Sequence, residues 1–265
     1  MRVSIAVLVA MMLVQAAQAV AGPFEDALAA NARKDYATVL GILRPLADQG
    51  DPDAQAALGV MYERDQGIRQ DYAEAMKWYR LAAEQGQAGA QNNLGVMYFN
   101  GRGVPQDYAE ALKWYRLAAE QGLADAQGAL GVMYFNGQGV PQDYAEAMKL
   151  YRKAAEQGQA IAQNNLGSMY YFGQGVPQDY AEAVKWWRKA ADQGDAAAQN
   201  SFGGMYYSGY GVPQDYVQAH KWFNLAATKS KKPGAVENRD RVAAKMTPAQ
   251  IAEAQKLARE WKPSK

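Results

Sequence analysis

Thirty-six residues decide the fold: QDYAEALKWYRLAAEQGLADAQGALGVMYFNGQGVP, Gln106–Pro141. Their register returns along the chain, with Gln-Asp-Tyr beginning at Gln70, Gln106, Gln142, Gln178 and Gln214, always 36 residues apart, and a further Asp-Tyr at Asp35-Tyr36. A fixed period between about 20 and 50 residues marks stacked supersecondary units. It overrides the two-domain reading that a length of 265 residues permits. Because the copies align without gaps, each position can be compared with its equivalents in the same chain.

Each unit reads as two helices. Asp71 with Glu74 three residues on forms a helix-start pair, repeated as Asp107/Glu110, Asp143/Glu146, Asp179/Glu182 and Asp215/Gln218. Tyr72, Ala75, Met76, Tyr79, Ala82 and Ala83 then fall on one face of an α-helix. Gly86, Gly122, Gly158 and Gly194 follow as stops, where a left-handed residue closes the helix. The other helix carries Ala90, Leu94, Gly95 and Tyr98, repeated as Ala126, Leu130, Gly131, Tyr134 and as Ala162, Leu166, Gly167, Tyr170. Gly101, Gly103, Val104 and Pro105 make the return loop between the helices.

These residues resemble the Sel1-like repeat, a relative of the tetratricopeptide repeat. The pattern is Ala-x-x-x-Leu-Gly-x-Met-Tyr, then Gly-x-Gly-Val-x-x-Asp-Tyr-x-x-Ala, then Lys-Trp-Tyr-x-x-Ala-Ala-x-x-Gly, and it covers roughly residues 51 to 228 in five copies. The resemblance implies an all-α, right-handed superhelical solenoid of antiparallel helix pairs. It also implies a protein-protein interaction scaffold or adaptor rather than an enzyme. Periplasmic members that regulate a membrane sensor kinase or an envelope enzyme give a second expectation of the same kind.

Residues 20–50 read as a shortened first repeat, with Asn31 to Lys34 in place of the long loop. Pro45 predicts a kink or an early helix end near Arg44. Arg69 stands where the other copies have Pro105, Pro141, Pro177 and Pro213. Residues 229–265 read as a basic linker and C-terminal capping helices: one from about Ala235 to Met246, the next opened by a capping box at Thr247-Pro248-Ala249-Gln250. A solenoid needs its terminal apolar face covered, which gives the last helix its expected role.

At the N-terminus, Arg2, the apolar run Ile5 to Val14 and Ala17-Gln18-Ala19 predict a cleaved secretory leader over residues 1–19, with cleavage after Ala21 as the near alternative. The expected location is periplasmic or secreted, and the absence of cysteine suits an oxidising compartment. The 28 basic and 27 acidic residues give a formal charge of +1 and no overall attraction to nucleic acid. That balance conceals a basic tail, with ten basic and four acidic residues from Lys229 onward. The tail reads either as a contact for an anionic partner or membrane surface, or as ordinary solubilisation of an end cap.

Catalytic motifs are lacking. With no cysteine and a single histidine there is no thiol nucleophile, no His-rich metal site and no cofactor signature. No serine-hydrolase elbow, Walker loop or zinc-protease motif occurs. An envelope hydrolase or β-lactam-binding protein, suggested by some cysteine-rich relatives of this repeat, would need a nucleophile that the sequence lacks. His220 occupies the register of Met76, Leu112, Met148 and Val184, a core-facing column. Trp78, Trp114, Trp186 and Trp222 beside Tyr79, Tyr115, Tyr151, Trp187 and Phe223 read as packing between units.

Positions that the scaffold does not dictate are better candidates for recognition. One stripe of the first helices reads Ala57, Asn93, Ala129, Asn165, Ser201; then Val60, Val96, Val132, Ser168, Gly204; then Arg64, Asn100, Asn136, Phe172, Ser208. In related tetratricopeptide repeats the first helices line a concave groove whose asparagines bind a peptide backbone. By that resemblance a groove including Asn93, Asn165, Ser201 and Phe172 would take an unknown protein or peptide partner. The alternative is a merely solvated face.

Overall fold

The computed structural model describes residues 22–229 and 233–264. The expected leader at residues 1–19 lies outside them. Among the described residues the chain is all-α, with fourteen helices and no strand. By its internal packing it divides into two compact units after Gln121.

The first unit holds α1 (Pro23–Ala32), α2 (Tyr36–Asp48), α3 (Pro52–Arg64), α4 (Tyr72–Glu84), α5 (Ala88–Asn100) and α6 (Tyr108–Glu120). Each helix packs mainly on its neighbours in sequence, and the short loops make successive helices antiparallel. One core gathers Val39, Leu43, Leu58, Met61 and Trp78, and the next gathers Met76, Tyr79, Leu94, Met97 and Trp114. The second unit holds α7 (Ala124–Asn136), α8 (Tyr144–Glu156), α9 (Ala160–Phe172), α10 (Tyr180–Asp192), α11 (Ala196–Ser208), α12 (Tyr216–Lys229), α13 (Pro233–Ala243) and α14 (Pro248–Glu260). Here α12 receives both α13 and α14. Trp261, just beyond α14, stands edge-on to Trp222, and Lys229 lies 5.5 Å over its ring.

The helix starts follow the sequence with one correction. Asp71, Asp107 and Asp179 each accept from two backbone amides of the first turn, and Asp143 from one. The glutamates three residues on do not reach back to close a capping box. Glu74, Glu110, Glu146 and Glu182 instead pair with Lys77, Lys113, Lys149 and Lys185 on the next turn, where a flexible cation is nearer than the cap amide. The box at Thr247 and Gln250 is complete. Gly86, Gly122, Gly158 and Gly194 all have φ near +90°, the left-handed geometry that a side chain would strain.

The early end expected at Pro45 does not occur. α2 continues to Asp48, and Gln49 and Asp51 donate their backbone amides to the Pro45 and Leu46 carbonyls. Proline removes its own donor near the last turn, while Leu43 and Ala47 stay buried on either side of it. Burying a leucine contributes roughly 1.5–3 kcal/mol, enough to offset one lost hydrogen bond.

The core-facing aromatic column sits on glycine. A Cβ on Gly95 would lie 2.5 Å from the Tyr115 ring, and one on Gly167 would lie 2.6 Å from Trp187. Glycine in the Leu-Gly pair is therefore a packing requirement between paired helices. All four tryptophans of the neighbouring column are buried, as expected of packing residues. His220 is likewise core, at 3% exposed.

A buried polar ladder accompanies this apolar packing. Gln55, Gln91, Gln163 and Gln199 donate their side-chain amides to the Ala47, Ala83, Ala155 and Ala191 carbonyls. The side-chain oxygens of Gln55, Gln91, Gln127 and Gln163 accept from Gln85, Gln121, Gln157 and Gln193, each 30 residues later. At the last rung Lys229 replaces glutamine and donates to the Gly194 carbonyl. The Oε1 of Gln199 is left buried without a partner.

Candidate functional site

The stripe picked out by the repeat register forms a graded surface. Its first two columns are half-buried and its third, at Arg64, Asn100, Asn136, Phe172 and Ser208, is exposed. In the first unit Asn93 lies beside Tyr79, whose hydroxyl donates to Glu63 at 2.8 Å. In the second unit Asn165 holds the corresponding place beside Tyr151. Burial pushes both tyrosines well above their ordinary range, and the neighbouring asparagine opposes that rise. Both asparagines thus have a structural task at the base of the stripe as well as a free edge.

Two adjoining depressions open along the second unit's first helices. One, of about 560 Å³, has Val132, Asn136, Asn165, Ser168 and Phe172 in its wall. The other, of about 270 Å³, is bounded by Tyr171, Phe172, Ser201, Gly204, Tyr210 and Asn238, among others. They share Ser168 and Phe172. Three of the four candidates, Asn165, Phe172 and Ser201, therefore come together, while Asn93 belongs to the first unit. No Asp, Glu, Lys, Arg or His is among the described residues lining either depression.

The side chains here depart from the chain's own pattern in a coordinated way. Where the earlier copies have Val60, Val96 and Val132, these have Ser168 and Gly204, and the wall is cut back. Phe172 replaces Asn100 and Asn136, and Tyr210 replaces Gln66, Arg102, Gln138 and Gln174. Phe172 is 64% exposed and Tyr210 44%. An exposed phenylalanine forgoes much of the roughly 1.5–3 kcal/mol available from burial, so folding does not account for its presence. Tyr210 stacks on Tyr180 with ring centres 4.9 Å apart and planes 9° from parallel. Tyr171 bridges Phe172, Tyr180 and the buried Trp187, with centroids 4.9–5.4 Å apart.

Tyr180, Tyr210, Asn200 and Asn238 are not among the residues expected from sequence. Tyr210 could have been found by asking which exposed columns change to an aromatic. Asn238 lies on α13, outside the repeat, and no register announces its hydrogen bond to Asn200 at 3.0 Å. A second hollow, of about 180 Å³ and largely apolar, lies in the first unit between α1, α2 and α3, with Phe24 and Leu28 exposed at its edge. No group of three or more potential metal-ligating side chains is gathered anywhere among the described residues.

The architecture is that of an all-helical repeat protein built from stacked helix pairs. The family model of the Sel1 repeat matches residues 52–87, 88–123, 124–159, 160–195 and 196–231, and the chain belongs to this family. Proteins of the family generally mediate protein-protein interactions. A Sel1 repeat protein from Oxalobacter formigenes is 31% identical, with a TM-score of 0.77 over 91% of this chain and 97% of that one. A protective antigen present in uropathogenic Escherichia coli strains, displaying an SLR fold, is 38% identical with a TM-score of 0.80. That match covers 84% of this chain and 48% of the antigen, so the chain spans about half the antigen's length. No curated protein matches the chain.

Proposed function

We propose that the chain is an exported, non-enzymatic interaction protein of the cell envelope that holds a partner protein or peptide on the stripe formed by its first helices. The leader at residues 1–19 gives the destination. Residues 20–50 and 51–228 supply the shortened and full repeats, and residues 229–265 the cap. The observation that carries the reading is the pair of adjoining depressions around Asn165, Ser168, Phe172 and Ser201, where exposed aromatic surface is offered that folding does not require. Asn93 holds the equivalent register position within the first unit.

The basic tail acts as part of the cap. Lys229 is engaged with Trp261 and the Gly194 carbonyl, and Lys245 lies over Tyr207 and Tyr216, so these cations are used within the fold. No helix among the described residues is long and apolar enough to cross a membrane. The reading is tested by cross-linking in intact cells, comparing the wild type with alanine changes at Asn93, Asn165, Phe172 and Ser201. A specific protein partner whose cross-links weaken in these variants is the expected result. Undiminished cross-links refute the groove, and turnover of a β-lactam or of peptidoglycan by the purified chain refutes the non-enzymatic reading.

A further inference from the structure

We propose that the groove of the second unit recognises an uncharged, proline-rich extended segment of its partner, gripped between the Phe172 ring and the Tyr180–Tyr210 stack. The proposal rests on the interaction reading above and names the chemistry of what is held. Three observations carry it. The departures from the repeat occur together: Ser168 and Gly204 cut back a valine wall, while Phe172 and Tyr210 raise aromatic edges on the space so opened. Nothing lies within 4 Å of the place a Gly204 side chain would take, so the gap is open. Finally, among the described residues the lining carries no charge, which removes any electrostatic reason for a basic, acidic or phosphorylated ligand.

A polyproline II strand fits this chemistry. It has no internal hydrogen bonds, turns once every three residues, and presents flat rings alternating with bare carbonyls. Its prolines have no N–H, so a ring can be laid on an aromatic face without stranding a donor. The Tyr210 ring, stacked near-parallel on Tyr180, forms one firm face, and Phe172 supplies another on the rim shared by both depressions. Tyrosine hydroxyls and asparagine amides nearby can donate to the strand carbonyls. Aromatic-lined grooves recognise such strands in this way, and their low conformational entropy reduces the ordering cost of binding.

A neutral glycan could also stack on these rings, but the polar groups suit it less well. The Ser168 hydroxyl already donates to the Asn164 carbonyl, and Asn238 donates to Asn200. No carboxylate among the lining residues is placed to accept from adjacent sugar hydroxyls.

The test is calorimetric titration of the purified chain with a blocked deca-proline peptide and, separately, with an uncharged chitin-type hexasaccharide. The expected result is peptide binding with a dissociation constant below about 1 mM, weakened roughly tenfold or more by Phe172→Asn or by Tyr210→Gln. The double change Ser168→Val, Gly204→Val should weaken it similarly by rebuilding the wall. These substitutions install residues that other copies already carry at the same register, and unchanged helical circular dichroism verifies the fold. No peptide binding up to several times that concentration, peptide binding indifferent to all these variants, or saccharide binding in place of peptide overturns the proposal. If Phe172→Asn also weakens the partner cross-links in cells while deca-proline fails to bind, the groove reading stands and the proline reading falls. If neither responds, both fall.

Discussion

The first-helix face of the first unit and that of the second share one register and differ in what they expose. In the first unit Val60 and Val96 keep the wall full, Glu63 accepts from Tyr79 and pairs with Arg102 at 3.3 Å, and Arg64 and Asn100 meet water. In the second, Ser168 and Gly204 thin the wall, Tyr171 stands where Glu63 does, and Phe172 and Tyr210 are left exposed. The columns that face the partner helix scarcely vary between the units. Repetition fixes the residues that repeats need for each other and leaves the remainder free to specialise.

The comparison holds only if the shared columns matter equally in both units, and the largest expected effect tests this. Gly95→Ala and Gly167→Ala each force a methyl group into an aromatic ring. Each should destabilise by about 2–3 kcal/mol, read from urea unfolding followed by circular dichroism. A negligible loss in one unit alone would show that its ring can move aside, and that the two scaffolds are not equivalent.

A smaller difference is expected along the glutamine ladder. Gln91→Leu removes one bond to the Ala83 carbonyl, which keeps the Gly86 amide, and takes the acceptor away from the Gln121 amide, and should cost about 2 kcal/mol. Gln199→Leu removes one bond to the Ala191 carbonyl, which keeps the Gly194 amide, but also removes an oxygen that has no partner, so its loss should be nearer about 1 kcal/mol. Equal losses from the same unfolding measurement would mean that the orphan oxygen at the last rung carries no penalty.

The smallest effect depends on pH. Burial, aided by the Arg239 guanidinium and opposed by the Asp240 carboxylate, holds the His220 imidazole below its ordinary 6.5. The unfolded chain then binds a proton before the folded one does, so stability is intact above about pH 6.5 and declines as the pH falls below it. His220→Met, which installs the residue found at this register in Met76 and Met148, should remove that part of the decline. Identical urea midpoints against pH for the two proteins between pH 8 and 5 would show that His220 is not its source.

Most of the fold was legible because the repeat supplies its own alignment. Asp at helix starts, Gly at the stops and the Leu-Gly pair each recur often enough to separate requirement from accident. The glutamine ladder is not legible in the sequence, because glutamine beside alanine looks like a solvent-facing residue in a single helix, and burial emerges only when neighbouring pairs stack. The helix-start pairs are legible as starts but not in the glutamate's partner, because spacing alone does not tell a glutamate reaching back to the cap from one paired with a lysine ahead. The stripe holding Asn165, Phe172 and Ser201 was legible from its variability, whereas Asn238 was not, since α13 follows no register. The early end expected near Arg44 does not occur because the local rule takes no account of buried neighbours that hold a helix together across one missing bond.

The ladder also bears on how such a chain can change length. Every full rung joins a side chain to one 30 residues earlier, in the same way at each of four buried glutamines. A duplication or excision of a whole 36-residue segment rejoins donor to acceptor wherever the breakpoints fall. A change of another length that falls within a helix shifts its register and leaves a buried polar group stranded at the junction, at a penalty of roughly 1–3 kcal/mol for each group. Recombination is thereby channelled towards whole copies, so that repeats can multiply or vanish while the hydrogen-bonded seam between them stays closed.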